Sequence, residues 1–327
     1  MSTKRSVDLD HGVAMVVTDL HGEGDVYDCI RAKFMELYEK GLVQYLILCG
    51  DLIHGYGEAS EDDSLRMLVD VIQLQRRFGS HTIIMLLGNH EMPHIYGVTL
   101  SKGDQAFTPR FEHALSHSGR RDEVLAFLRS LPFVVRTKAG VLITHSGPTM
   151  AINSAYKAER ILTFDHLAVL KLADDQIAAR YPIDNLRKHP EYTLHARYHL
   201  AIEGPDDPRY SEFLRGQLIS QTSEEFNLLW EVLFARGEVG LSEEFQDFFA
   251  SEFLKHMSVT SPYEQRIVLY GHLPVRGGHK VIGQRQFRLA SYSHANPPED
   301  GEYLLVDCAQ PIISARQLLG SLRQVFD

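Results

Sequence analysis

VAMVVTDLHG, residues 13–22, is a run of five apolar residues that stops abruptly at an Asp-x-His beside glycine. The run is too short for a helix and fits a buried strand. Asp19 and His21 are two apart, so in an extended turn both side chains point the same way. The same pattern returns in YLILCGDLIHG (45–55), IIMLLGNHE (83–91), VLITHSG (141–147) and IVLYGH (267–272). Five strand ends therefore deliver Asp, Asn and His donors to one place, which is how a two-metal hydrolytic site is assembled.

Outward from these runs, residues 13 to about 145 alternate strand and helix. Residues 25–40 carry apolar side chains at helical spacing and stop at Gly41, a plausible C-cap. A second amphipathic helix spans 62–78, a third strand 82–87 and a further helix 121–130, and 133–136 pairs with 141–144 as a hairpin. Residues 150–230 are charged, rich in helix formers and punctuated by Pro182, Pro190, Pro205 and Pro208. They read as a mostly helical insertion or cap within a single domain covering 1–327. Short strands then recur at 266–270, 279–283, 286–291, 302–307 and 311–316, with turns that suggest an antiparallel sheet. An α/β half followed by a β half predicts two sheets packed face to face with helices outside.

The 327 residues, 44% hydrophobic and 23% charged, can bury the core of one large α/β domain and argue against disorder. A net charge of -10 without a basic stripe disfavours nucleic acid. No apolar stretch is long enough to span a bilayer, and MSTKRSVDLDHG lacks a signal-peptide core, so no membrane is expected. Cys29, Cys49 and Cys308 form no CxxC pair and read as reduced thiols of a cytosolic protein. An acidic chain repels anionic substrates, so a phosphate site here needs local positive charge, which bound cations supply.

A dinuclear site needs a bridging carboxylate and a few neutral ligands private to each ion. Asp19, His21, Asp51, Asn89, His145 and His272 are the candidates. In this order the motifs resemble the calcineurin-like metallophosphoesterases. GNHE leans toward the phosphoprotein (Ser/Thr) phosphatase branch, as do NLLW (227–230), ARG (235–237), FLKH (253–256), YGH and the closing RQFRLAS and EYLLVD. The resemblance covers about 13 to 316 apart from the insertion. It implies a four-layer α/β/β/α sandwich and two divalent ions, Mn first, with Fe or Zn fitting the same donors. One ion would be held by Asp19, His21 and Asp51, the other by Asp51, Asn89, His145 and His272. His90 would be the general acid and Arg236 the phosphate clamp, with Asn89, His54 and His294 also facing substrate. A metal-bridging hydroxide would attack a phosphomonoester in line, on a phosphorylated protein or a small phosphoester.

The second motif departs from the family's GDxVDRG. His54 stands for its second Asp and Gly55 for its Arg. His54 beside His90 should lower the pKa of either. Arg66, Arg160, Arg180, Arg187 and Arg197 are the replacement cations on offer. The other histidines, His94 among them, read as surface residues. Two rival readings stand beside the phosphatase: a hydrolase resembling the bis-nucleosyl tetraphosphatases, and a non-catalytic binding protein on a retired phosphatase fold.

Overall fold

The computed structural model describes residues 4–180, 190–236 and 242–326. One six-stranded sheet has the order β1-β5-β6-β7-β9-β8, built from β1 (Ser6–Leu9), β5 (Val134–Thr137), β6 (Val141–Thr144), β7 (Ile267–Tyr270), β8 (His279–Ile282) and β9 (Gln286–Leu289). A second, five-stranded sheet runs β11-β10-β2-β3-β4, from β2 (Val13–Val17), β3 (Tyr45–Leu48), β4 (Ile83–Met85), β10 (Glu302–Asp307) and β11 (Leu322–Gln324). The strands β2, β3 and β4 are parallel, in the register Val16↔Ile47 and Ile47↔Ile84.

Side-chain alternation along the strands makes the layers. Ala14, Val16, Ile47 and Ile84 turn inward to meet Val135, Ile143, Leu269, Phe287 and Leu289 of the opposite sheet in one buried cluster. Met15, Val17, Leu46, Leu48 and Met85 turn outward against Ile30 and Phe34 of α1 (Gly24–Glu39) and Leu68 and Val71 of α2 (Ser64–Phe78). The chain continues through α3 (Met92–Tyr96), α4 (Thr108–His117), α5 (Arg121–Ser130), α6 (Ala155–Leu162), α7 (His166–Arg180), α8 (Pro190–Leu200), α9 (Arg209–Thr222), α10 (Glu224–Leu233) and α11 (Glu243–Met257). Ile161, Leu229, Phe253 and Leu254, from α6, α10 and α11, belong to the outer cluster with Leu142 and Val268. Helices thus cover the outside of both sheets, giving the α/β/β/α sandwich. Among the described residues, no helix is long and apolar enough to cross a membrane.

The C-terminal part differs from the expected antiparallel sheet. Strand β7 runs parallel to both β6 and β9, and β10 crosses to the other sheet to pair with β2. No strand forms at 311–316. Ile313 is 70% exposed there, and Ser314 and Gln317 cap a 3-10 turn, Ala315–Ser321, in a reciprocal capping box. Two apolar residues in a row were not a buried edge. Strand β1 and helix α4 were not anticipated, although the Thr-Pro start of α4 is a helix signal.

Candidate metal centre

Each donor stands past the carboxyl end of a strand: Asp19 and His21 after β2, Asp51 after β3, Asn89 after β4, His145 after β6, His272 after β7. Both sheets contribute, so the site lies across the seam between them. Backbone bonds sew that seam. Across the seam the His272 N–H donates to both carboxylate oxygens of Asp19 at 3.0 Å, and within the five-stranded sheet the His21 N–H donates to the Asp51 carbonyl at 3.0 Å. The motif glycines are required by the carboxylates beside them. A Cβ on Gly88 would lie 2.3 Å from Asp51 Oδ1, and one on Gly271 would lie 2.1 Å from Asp19 Oδ2.

Among the described residues, six non-glycine residues have positive φ. Five of them are Asp19 (48°), His21 (43°), Asp51 (51°), His54 (71°) and His272 (69°). Such backbone costs on the order of 1–3 kcal/mol per residue and persists where the surroundings force it, typically at functional sites.

The donors form three overlapping groups: Asp19, His21 and His294; His21, Asp51 and His90; Asp51, His145 and His272, each with its atoms within 4.8 Å of one another. Asp51 belongs to two of the groups, with Oδ2 3.8 Å from His21 Nε2 and Oδ1 3.6 Å from His145 Nε2. Asp51 Oδ2 and His272 Nε2 are buried without a hydrogen-bond partner. The tautomers follow from the carbonyls behind the rings. His21 Nδ1–H donates to Ile53 O at 3.2 Å and His145 Nδ1–H to Cys49 O at 2.8 Å, which leaves each Nε2 with its lone pair facing the site. His145 Nε2 then meets Asn89 Oδ1 at 2.7 Å, two acceptors in contact, which suits two ligands of one cation.

Electrostatics agree. Burial lowers the pKa of His145, and burial followed by the charge of His294 brings His21 down to about 3. Both are thereby neutral ligands. Burial, then the charges of Glu91 and Asp19, pushes the Asp51 carboxyl well above its usual range. Burial would raise Asp19 too, but His294 beside it leads the pull that holds that carboxyl low. Orphaned acceptors converging in a dry site lack positive charge, and divalent cations fit them.

His90 borders these donors. Its N–H donates to Asp51 Oδ1 at 3.0 Å, and its Nε2 lies 4.0 Å from Asp51 Oδ2. His54 lies behind it, with Nδ1 2.9 Å from His90 Nδ1 and Nε2 2.8 Å from His94 Nε2. Both nitrogens of His54 are engaged and the residue is 2% exposed, so it reaches a substrate only through His90, a correction to the direct contact expected. Burial first, then neighbouring imidazoles, pushes both His54 and His90 well below the usual histidine range. His94, read as a surface residue, is 1% exposed and also bonded to Glu112.

His294 comes closer to the donors than a pocket wall would, with Nδ1 3.2 Å from Asp19 Oδ1 and its ring 5.1 Å from that of His21. Its loop is pinned by Thr18 N–H on Ser291 Oγ at 3.0 Å and Ser293 N–H on Asp19 O at 3.2 Å. Arg236, just after α10, is exposed, and its charge adds to burial and the neighbouring histidines in lowering the pKa of His272. The replacement cations are engaged elsewhere: Arg66 with Asp28 and Asp63 (both 3.1 Å), Arg160 with Glu225 (2.6 Å), Arg197 with Glu203 (3.5 Å). The side chain of Arg180 and all of Arg187 lie outside the described residues. Among the described residues, Arg110 of α4 lies beside the second motif, donating to Gly55 O at 3.3 Å and Gly57 O at 2.8 Å and pairing with Asp62 at 3.5 Å. Tyr56, also unforeseen, places its Oη 3.4 Å from His21 Nε2.

A sequence model of the calcineurin-like phosphoesterase family matches residues 13–296. Among solved structures, the chain is similar to a cold-active protein tyrosine phosphatase (16% identity, covering 93% of this chain and 75% of that one, TM-score 0.46). It is similar to a protein serine/threonine phosphatase from Saccharomyces cerevisiae (15% identity, 95% and 79% covered, TM-score 0.48). It is also similar to a metallophosphoesterase from Sphaerobacter thermophilus (12% identity, 91% and 85% covered, TM-score 0.39). No curated protein matches the sequence.

Proposed function

The chain belongs to the calcineurin-like phosphoesterase family, and on that premise we propose that it is a dinuclear metal-dependent phosphatase of the phosphoprotein phosphatase branch, acting on phosphomonoesters. The observation that carries this reading is Asp51, one carboxylate shared by two donor groups, its oxygens turned toward different histidines. Asp19, His21 and Asp51, with His294 within reach, would hold one ion. Asp51, Asn89, His145 and His272 would hold the other, and Mn²⁺ is the first ion to supply. When bound, such ions give positive charge to phosphoryl oxygens and lower the pKa of water. The remaining work falls to this chain's side chains. His90 stands beside the donors to protonate the leaving oxygen, and the Arg236 fork matches phosphoryl oxygens.

A phosphorylated protein is our first substrate class. Beside the second motif, a cleft of about 430 Å³ is lined by Glu23, Asp25, Glu61, Asp62 and Asp63. Asp62 and Asp63 are met by Arg110 and Arg66, and the remaining carboxylates, Glu23, Asp25 and Glu61, repel a polyphosphate chain and attract cationic residues flanking a phosphoserine. We expect a higher kcat/KM on a phosphopeptide with basic flanks than on a dinucleoside tetraphosphate. The opposite order would move the chain to nucleotide hydrolysis.

His90→Asn should keep its metal and lose about 10²-fold in kcat on a phosphoserine peptide, whose alkoxide must be protonated. It should lose much less on p-nitrophenyl phosphate, whose leaving group needs little protonation. Equal losses on both would remove His90 from the acid role. In the same assay Arg236→Ala should raise KM on both substrates at unchanged metal content, and an unchanged KM would release Arg236 from the clamp.

A further inference from the structure

The family resemblance places an arginine at position 55, and the fold closes that position. A Cβ on Gly55 would lie 3.0 Å from Asp62 Cγ, and Asp62 is held by the Ser64 N–H at 3.0 Å and by Arg110 at 3.5 Å. The next residue, Tyr56, turns toward the metal donors instead. Its Oη lies 3.4 Å from His21 Nε2, and its ring centroid lies 4.8 Å from that of His21. Tyr56 is nonetheless 46% exposed, so part of it meets the donors and part is open to an incoming molecule.

Its place is fixed from several sides. Phe107 meets the ring edge-on at 6.0 Å. Arg110 donates to the carbonyls on either side of it, Gly55 O and Gly57 O. A side chain held in this way gives up little freedom when it binds a ligand.

The direction of the hydrogen bond decides what the phenol can do. His21 Nδ1–H is committed to Ile53 O, so His21 Nε2 accepts and Tyr56 O–H donates. Among the described residues, this is the one hydrogen bond that Oη makes. It goes to the same lone pair that His21 would offer an ion. Once that nitrogen serves as a ligand, the hydroxyl hydrogen has lost its acceptor. The oxygen brought to the same place by a phosphoester is a phosphoryl oxygen.

We propose that Tyr56 is a substrate-contacting residue, donating its hydroxyl hydrogen to a phosphoryl oxygen where the arginine is missing, and that Arg110 is its positioning residue. This rests on the reading of the site as a metal-dependent phosphatase. A hydroxyl gives one hydrogen bond and no charge, where a guanidinium gives a fork and a full charge. Tyr56 therefore holds the phosphoryl group without neutralising Glu23, Asp25 and Glu61, which line the cleft shared with Gly55 and Gly57. Their negative charge is left to meet basic residues of a substrate.

The test uses Mn²⁺-loaded protein and inorganic orthophosphate, the product of the reaction. Calorimetry reads the affinity and elemental analysis reads the metal. Tyr56→Phe removes the hydroxyl and keeps the ring. It should keep its metal and bind orthophosphate about 10-fold more weakly or worse, the scale of one hydrogen bond to a charged group. Its kcat/KM should fall by a similar factor on p-nitrophenyl phosphate and on a phosphoserine peptide, because the contact is to the group they share. Arg110→Met should weaken orthophosphate in the wild-type background and add little in Tyr56→Phe, as expected of a residue that acts through another. Unchanged orthophosphate affinity in Tyr56→Phe overturns the proposal. So does a loss accompanied by loss of metal, which would make the phenol a support of the ion instead. Losses that add in full in the double variant overturn the role of Arg110. Wild-type protein that holds two ions yet neither binds orthophosphate nor hydrolyses either ester overturns the phosphatase reading as well. A wild type that does both, matched by Tyr56→Phe, overturns the role of Tyr56 alone.

Discussion

Asp51→Asn is expected to abolish turnover, to empty both metal positions and, in metal-free protein, to raise stability. The first two effects follow from its place in two donor groups. Loss of a bridging charge removes a ligand from each ion, so affinity should fall by more than about 100-fold, the upper range for losing a mere outer-shell partner. The third follows from its surroundings. The carboxylate is buried, its Oδ2 has no partner, and burial and the charges of Glu91 and Asp19 oppose its ionisation. The neutral amide relieves that repulsion, and roughly 1–2 kcal/mol of added stability is the scale for relieving strain at a functional site. Bound metal by elemental analysis and chemical denaturation of chelator-treated protein check the two halves. Normal metal content with full activity would refute the bridging assignment.

Glu91→Ala is expected to have the largest effect on the fold itself. Glu91 is fully buried, with Oε2 accepting from the N–H groups of Asp51 (2.9 Å) and Gly88 (3.1 Å), and Oε1 from Leu52 N–H (2.8 Å). One carboxylate thus ties the second motif to the third. Burial pushes its pKa up to about 7, against the pull of the backbone bonds, yet the three donors have no obvious substitute partner. Leaving each buried N–H unmet costs about 1–3 kcal/mol, so a loss of about 3–5 kcal/mol is expected once water relieves part of it. Glu91→Gln, which keeps one carbonyl acceptor, should fall between. Urea unfolding of the metal-free proteins reads this, and a loss below about 1 kcal/mol would show that the loops hold without Glu91.

The donors were legible in the sequence because each sits in a short pattern that is wholly local: an apolar strand, a turn, a polar residue beside glycine. Five such patterns needed no knowledge of which strands pair. The sandwich followed from the same runs. What escaped was set by tertiary contact. Glu112 and His94 are 18 residues apart on different helices, and nothing in either segment says that they touch. Arg110 reaches the second motif from α4 in the same way. The strand expected at 311–316 failed because apolar Ile312 and Ile313 were read without the capping pair Ser314 and Gln317 that follows them. His294 was seen as a neighbour of the site, but its approach to Asp19 depends on hydrogen bonds between the 291–293 loop and the end of β2.

The most direct test of a dinuclear metal-dependent phosphatase is a titration of metal-stripped protein with Mn²⁺, reading bound metal and p-nitrophenyl phosphate hydrolysis on the same samples. No turnover is expected in the stripped protein, turnover should rise with bound metal and saturate at two ions per chain, and Asp51→Asn should give a flat response. Turnover that survives full chelation, or two bound ions per chain with no hydrolysis of p-nitrophenyl phosphate or of a phosphopeptide, would contradict the dinuclear reading.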